Sequence, residues 1–112
     1  MPHRRAMAER RRGRAQRRLR DRAQQRLAQE IEQLAQLEDG GSPERPIPVD
    51  SVAVIELRAT ANPCPLCGGP LKLEAHTAEA IDGVRLRVAA VACTLCGSQR
   101  AVYFRLDEPL VH

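Results

Sequence analysis

Apolar positions in the first third of the chain recur at intervals of three or four residues. They are Leu19, Ala23, Leu27, Ile31, Leu34 and Leu37. At about 100° per residue, this spacing places them on one helical stripe roughly 120° wide. Residues 3–38 contain no Pro and are dominated by Ala, Arg, Gln, Leu and Glu, which favour helices. We therefore predict one helix of up to about 35 residues, ended by Asp39-Gly40-Gly41.

The rest of the chain consists of short segments that alternate apolar and polar residues or are rich in aliphatic and β-branched ones. Such segments are typical of strands, which we predict over 52–58, 71–75, 84–88 and 102–106. Asp82-Gly83 separates the second and third strands and is a strong hairpin-turn signal. Residues 40–48 are rich in Gly and Pro, which indicates an extended linker. The predicted parts are a helical arm at 1–39, this linker at 40–48 and a β domain at 49–112.

Charge is divided unevenly between these parts. Residues 1–26 hold 11 Arg and two acids, a net charge of +9, whereas residues 27–112 have a net charge of −5. The overall charge of +4 therefore conceals a basic arm attached to a mildly acidic body. Such asymmetry indicates a polyanionic partner, usually nucleic acid.

The four cysteines form two CxxCG motifs, at 64–68 and 93–97, separated by 25 residues. Two residues between thiolates allow one tight turn to direct both sulfurs at a point about 2.3 Å away. A Gly directly after the second Cys supplies the positive φ that such a turn needs. Two facing turns give a closed tetrahedral site for one structural Zn²⁺, with no open position for a catalytic water. We expect Arg100 to offset part of the negative charge of such a site.

These two motifs resemble the knuckles of the zinc ribbon superfamily, over residues 62–106. The resemblance implies an antiparallel β-fold with zinc at one end, held by Cys64, Cys67, Cys93 and Cys96. The predicted fold is therefore of the small, metal-binding α+β class, with a long N-terminal helix followed by a three- to four-stranded antiparallel zinc ribbon. Because a β domain of this size has a small core, we expect zinc to be required for folding.

Other uses of the cysteines remain open at this stage. An even number of cysteines allows two disulfides, and either CxxC pair alone is sufficient for thiol-redox chemistry. Four thiolates also ligate iron–sulfur clusters. Structural zinc is favoured because each pair is followed by Gly, no export signal precedes the pairs, and no βαβ pattern surrounds either of them.

The arginine-rich arm predicts nucleic-acid binding. Arginines at successive i, i+4 positions from Arg10 to Arg26 form a like-charge ladder, which destabilises a free helix and which phosphates would neutralise. Arginine also crowds the N-terminal end of the helix dipole, where cations are unfavourable. The predicted phosphate contacts are Arg10, Arg11, Arg12, Arg14, Arg17, Arg18, Arg20 and Arg22. The alternative is that these residues form a solvated face, as charge runs usually do.

The end of the apolar stripe suggests a second function. Leu27, Ile31, Leu34 and Leu37 are expected to pack on a neighbour: the β domain, a second copy or a partner helix. The chain would then be an interaction or adaptor subunit of a larger assembly. Fewer than three good heptads are present, so the pattern specifies a coiled coil only weakly.

No catalytic arrangement of Ser, His and Asp, of Cys and His, or of paired carboxylates is evident, so we predict that the protein is not an enzyme and takes no small-molecule substrate. His76 is predicted to be exposed, on the strand face opposite Leu71 and Leu73. No run of about 18 apolar residues predicts a membrane span. The Arg-rich start of the chain is unlike a secretory signal. The expected location is the cytoplasm or another reducing intracellular compartment.

Overall fold

The structure is a computed structural model that describes residues 2–107, with side chains described from residue 9 onward. The elements are α1 (Pro2–Gln36), β1 (Ile47–Val49), α2 (Val52–Ala59), β2 (Leu71–Ile81), β3 (Val84–Cys93) and β4 (Gln99–Leu106). The chain divides into two compact units, Met1–Ile31 and Glu32–His112. The predicted α+β class is confirmed: one long N-terminal helix precedes a four-stranded sheet.

The strand order of the sheet is β1-β4-β3-β2. Strands β2, β3 and β4 are antiparallel, whereas β1 runs parallel to β4. The prediction of a purely antiparallel sheet was therefore wrong. Residues 47 and 48 of the predicted linker belong to β1, which is an edge strand. Pro48 has no backbone N–H to donate, and an edge strand tolerates it because only one side of the strand is paired.

The segment predicted as the first strand is instead the helix α2. Ser51 caps it, because its side-chain oxygen accepts a hydrogen bond from the backbone N–H of Val54. Ile55 and Ala59 are one helical turn apart and are both buried. The β-branched composition of 52–58 misled the prediction, and the cap at Ser51 was the overlooked signal.

The hairpin of β2 and β3 turns at the predicted Asp82-Gly83, where both residues have positive φ, at 50° and 80°. Near its other end, the pairing shifts between Leu73 and Ala75, so that Glu74 is an extra residue in β2. Because side chains in a strand alternate between faces, this bulge moves His76 to the face of Leu71 and Leu73. The expected exposed position of His76 was therefore wrong.

The core lies between α2 and one face of the sheet. Its buried members are Val49, Ile55, Ala59, Ala89, Val91 and Phe104. Phe104 and Ile55 are fully buried, and Leu71, Leu73 and Val102 pack around this cluster. Six side chains, of which two are Ala, make a small core, and its β3 face continues directly to Cys93.

Candidate metal centre

The pairing of β2 with β3 brings the two cysteine motifs together. Leu71, just after the first motif, is the register partner of Cys93, which begins the second. The N–H of Thr94 donates to the carbonyl of Pro70 at 3.0 Å, and the Thr94 hydroxyl donates to the same oxygen at 3.2 Å. The two turns are thus joined by backbone and side-chain hydrogen bonds at the open end of the hairpin.

The two turns have the same internal hydrogen bonds. In the first, the N–H of Gly68 donates to the carbonyl of Cys64 at 2.7 Å; in the second, Gly97 donates to Cys93 at 3.1 Å. The φ angles of Gly68 and Gly97 are 76° and 75°, as the sequence predicted for a residue following the second Cys. The matched geometry directs both pairs of sulfurs towards one point.

All four Sγ atoms lie within 4.8 Å of one another. Two close separations join different motifs: 3.3 Å between Cys67 and Cys93, and 3.7 Å between Cys64 and Cys96. A tetrahedron with metal–sulfur bonds of about 2.3 Å has sulfur–sulfur edges of about 3.8 Å. The cluster therefore has the dimensions of a four-thiolate site for a single metal ion.

Polar groups surround the sulfurs. The backbone N–H groups of Leu95 and Cys96 donate to Cys93 Sγ at 3.4 Å. Ser98 Oγ lies 3.3 Å from Cys64 Sγ and 3.2 Å from Cys96 Sγ. The N–H groups direct polar hydrogens at Cys93 Sγ and favour its thiolate, and the Ser98 hydroxyl does the same for Cys64. The Cys96 thiol instead donates to Ser98 Oγ. Ser98 was not among the predicted site residues, although its position directly after the second CxxCG motif was a usable signal.

The thiols of the cluster differ in acidity. Burial raises the pKa of Cys64, but the Ser98 hydroxyl and nearby backbone N–H groups favour the thiolate more strongly and lower the pKa from 9.0 to about 6. The pKa of Cys67 is raised to about 12, chiefly by the hydrogen bond between the Cys67 and Cys93 side chains. The pKa of Cys93 is lowered, chiefly by the backbone N–H of Cys96. Thiolates this close repel one another, so a bound cation is what would allow all four to ionise together.

All four cysteines are free thiols in the structure. Two close sulfur contacts link the two motifs, as one ion shared by both would require. Two of the thiols, Cys64 and Cys93, are buried, and Cys67 and Cys96 are exposed. The arrangement thus favours one shared ion over two independent cysteine pairs.

Arg100 lies on β4 close to the second motif, but its hydrogen bond is not to a sulfur. Its Nη2 donates to Oε1 of Glu32 at 2.6 Å. Arg100 is thus paired with a carboxylate, and its effect on the charge of the cysteine site stays a prediction. Glu32 precedes Arg100 by 68 residues, and no local sequence pattern indicates this pair.

The eight predicted phosphate-binding arginines between residues 10 and 22 are all exposed along α1. Arg17 bonds within its own helix, donating from Nε to the carbonyl of Gly13 at 3.4 Å. Of the predicted partner-helix stripe, Leu27, Leu34 and Leu37 are exposed and Ile31 is half-buried. Both surfaces are thus accessible to a partner, and the identity of that partner stays a prediction.

No family model, curated protein or solved structure matched this chain in the comparisons made. Neither helix in the described part of the chain has the length and apolar character needed to cross a bilayer. The features that bear on function are the cysteine cluster, the basic helix and the exposed stripe.

Proposed function

We propose that this chain is a non-enzymatic zinc-ribbon protein that binds RNA or DNA, chiefly through phosphate contacts made by its Arg-rich helix. The observation that best supports this function is the exposure of all eight arginines between residues 10 and 22 on a single helix. Guanidinium groups bind phosphates in bidentate geometry, and their binding to a polyanion releases counterions. Few groups suited to reading base edges accompany them, so binding is expected to be largely independent of sequence.

The zinc half of the proposal is supported by the donor set and the size of the cysteine cluster. Four sulfurs within 4.8 Å of one another suit one tetrahedral ion. An iron–sulfur cluster has inorganic sulfide between its irons and needs a larger space between the cysteine sulfurs. Zinc has no redox chemistry, so the ion would hold the fold together and take no part in a reaction.

Electrostatics give the nucleic-acid proposal its physical basis. Arginines one helical turn apart repel one another, and they lie at the end of the helix dipole where cations are unfavourable. Residues 1–26 contain two acids, Glu9 and Asp21, which offset little of the positive charge of the 11 arginines. A phosphate backbone would remove both penalties, so that binding would stabilise the first half of α1.

Fluorescence anisotropy of the zinc-loaded, nuclease-treated chain with labelled single-stranded RNA and duplex DNA tests the proposal. Six phosphate contacts would make the affinity fall by roughly 10³ between about 50 mM and about 200 mM salt. The variant pair Arg14→Gln/Arg18→Gln should weaken binding and reduce the salt slope by about two. Arg58→Gln/Arg85→Gln is the matched control, because it removes the same charge from exposed positions outside α1.

Two results would overturn the nucleic-acid function. One is the absence of salt-dependent binding to either polymer at low salt. The other is equal weakening by the α1 variant and the control, because net charge alone would then explain the affinity. Loss of zinc from a variant is checked separately by metal analysis, so that a folding defect is not mistaken for a binding defect.

A second candidate function, a subunit that docks into a larger assembly, is favoured by the exposure of Leu27, Leu34 and Leu37. Large apolar side chains repeated on one exposed helix face are typical of helix-in-groove or helix–helix contacts. This function predicts sensitivity to Leu27→Asp or Leu34→Asp with little dependence on salt. Nucleic-acid binding predicts the reverse, so the two functions are separable.

A further inference from the structure

The apolar stripe of α1 has an approximate internal symmetry. We define the stripe as Leu19, Ala23, Leu27, Ile31, Leu34 and Leu37. Leu37 lies in the turn just after the end of α1. When a second copy of the helix is placed antiparallel, with the midpoint between residues 28 and 29, the stripe approximately matches itself. Leu19 then lies opposite Leu37, Ala23 opposite Leu34, and Leu27 opposite Ile31. A stripe of this kind fits an isologous contact, in which both copies use the same surface.

The sheet of the chain itself does not cover the C-terminal part of this stripe. Within the unit Glu32–His112, Glu32 contacts Arg100 of β4, whereas Leu34 is 64% exposed and Leu37 is 60% exposed. Leu34 follows Glu32 by two residues, which is about 200° around a helix. The helix therefore uses one side for its own domain and leaves the leucine side without a partner among the described residues.

The distribution of charge selects the orientation of a second copy. Residues 9–26 contain nine Arg and two acids, whereas residues 27–39 contain four acids and no Lys or Arg. A parallel pair would place arginines against arginines and acids against acids. An antiparallel pair places the basic half of each helix beside the acidic half of the other, and it also opposes the two helix dipoles.

Charged residues along the edge of the stripe would form ion pairs between the two copies. In the antiparallel register Arg26 lies opposite Glu30 of the second copy, and by helical position both residues lie along one edge of the stripe. The two-fold axis repeats this pair, giving two cross-helix ion pairs beside the apolar contact.

We propose that α1 mediates homodimerisation, through an antiparallel pairing of the stripe with the same stripe of a second copy. This inference names the partner for the second candidate function and does not depend on nucleic-acid binding. The ladder of Arg10, Arg14, Arg18 and Arg22 lies on the side of the helix away from the stripe, so the dimer leaves it accessible. The dimer would then present two basic ladders running in opposite directions.

Sedimentation equilibrium of the full, zinc-loaded and nuclease-treated chain tests the proposal. The native chain is expected to show a concentration-dependent monomer–dimer equilibrium. Leu27→Glu/Leu34→Glu should shift it to monomer, because the introduced carboxylates would be desolvated at the contact. Gln25→Glu/Gln29→Glu is the matched control on the far side of the helix, where both positions are exposed, and it should leave the dimer intact.

A charge exchange tests the orientation. Arg26→Glu and Glu30→Arg are each expected to weaken the dimer several-fold, because each creates two like-charge contacts between the copies. The double variant Arg26→Glu/Glu30→Arg should restore the native affinity, because an antiparallel pair regains opposite charges at both positions. A native chain that stays monomeric at every soluble concentration overturns the proposal. So does a dimer that tolerates the leucine variant, or one that the double exchange fails to restore. None of these outcomes alters the salt-dependence test of nucleic-acid binding.

Discussion

Arg100 of β4 donates a hydrogen bond of 2.6 Å to Glu32, near the end of α1, and so fixes the last turn of this helix to the sheet. The Arg100 side chain is 13% exposed, and its Nε is buried without a partner among the described residues. A guanidinium in this position depends on Glu32 for its charge compensation, because water reaches it poorly.

We therefore expect Glu32→Gln to destabilise the domain by roughly 1–3 kcal/mol, since it leaves the Arg100 charge partly buried and uncompensated. Denaturant unfolding of the zinc-loaded chain measures the effect. Glu9→Gln is the control, because Glu9 is exposed on the same helix and lies outside the proposed dimer contact. The double variant Glu32→Gln/Arg100→Gln should recover part of the loss. Equal stabilities of Glu32→Gln and Glu9→Gln would show that the ion pair contributes nothing.

The cysteine site was predictable because its geometry is local. Each CxxCG turn is specified by five consecutive residues, and the structure places all four sulfurs within 4.8 Å of one another as the motif implies. The α1 helix and the Asp82-Gly83 turn were predictable for the same reason: periodicity and turn chemistry act over a few residues.

Most of the errors arose where distant contacts decide the structure, although α2 also has a local signal in its cap, Ser51. α2 was predicted as a strand because Val52, Val54 and Ile55 favour strands, and packing of Ile55 in the core overrides that preference. The bulge at Glu74 moves His76 to the opposite face of the strand, and no local sequence pattern predicts this bulge. The parallel pairing of β1 with β4 likewise joins segments more than 50 residues apart.

Ser98 offers a test of how the surroundings of the cysteines affect metal affinity. Its hydroxyl lies within 3.3 Å of the sulfurs of Cys64 and Cys96, so that its single hydrogen bonds one thiolate at a time. Ser98→Ala is expected to weaken zinc binding by roughly tenfold, measured by competition with a chromogenic chelator. Ser42→Ala, remote from the cluster in sequence, is the control. Unchanged affinity would show that backbone N–H groups alone stabilise the thiolates.

His76 offers a test of the bulge. Its Nε2 is buried without a hydrogen-bond partner among the described residues, and its Nδ1 is 3.9 Å from a carboxylate oxygen of Glu56, beyond hydrogen-bond range. His76→Leu should therefore be neutral or stabilise the fold by up to about 1 kcal/mol, because it removes an unsatisfied polar atom from an apolar setting. Thermal unfolding measures it, with Glu56→Gln as the control. A loss well above this magnitude would mean that Nε2 binds an ordered water.

Metal removal is the most demanding test of the fold. Mass spectrometry of the purified chain should find one zinc and no iron per chain, and Cys64→Ala should abolish the stoichiometric zinc. The free energy of binding a structural zinc, on the order of 10–16 kcal/mol, exceeds the few kcal/mol that so small a core supplies. A strong chelator is therefore expected to collapse the dispersed amide resonances of the sheet, and added zinc should restore them.

A control incubation with chelator already saturated with zinc should leave the spectrum unchanged. Retention of the dispersed spectrum after verified loss of the metal would show that the core of α2 and the sheet holds the fold without the ion.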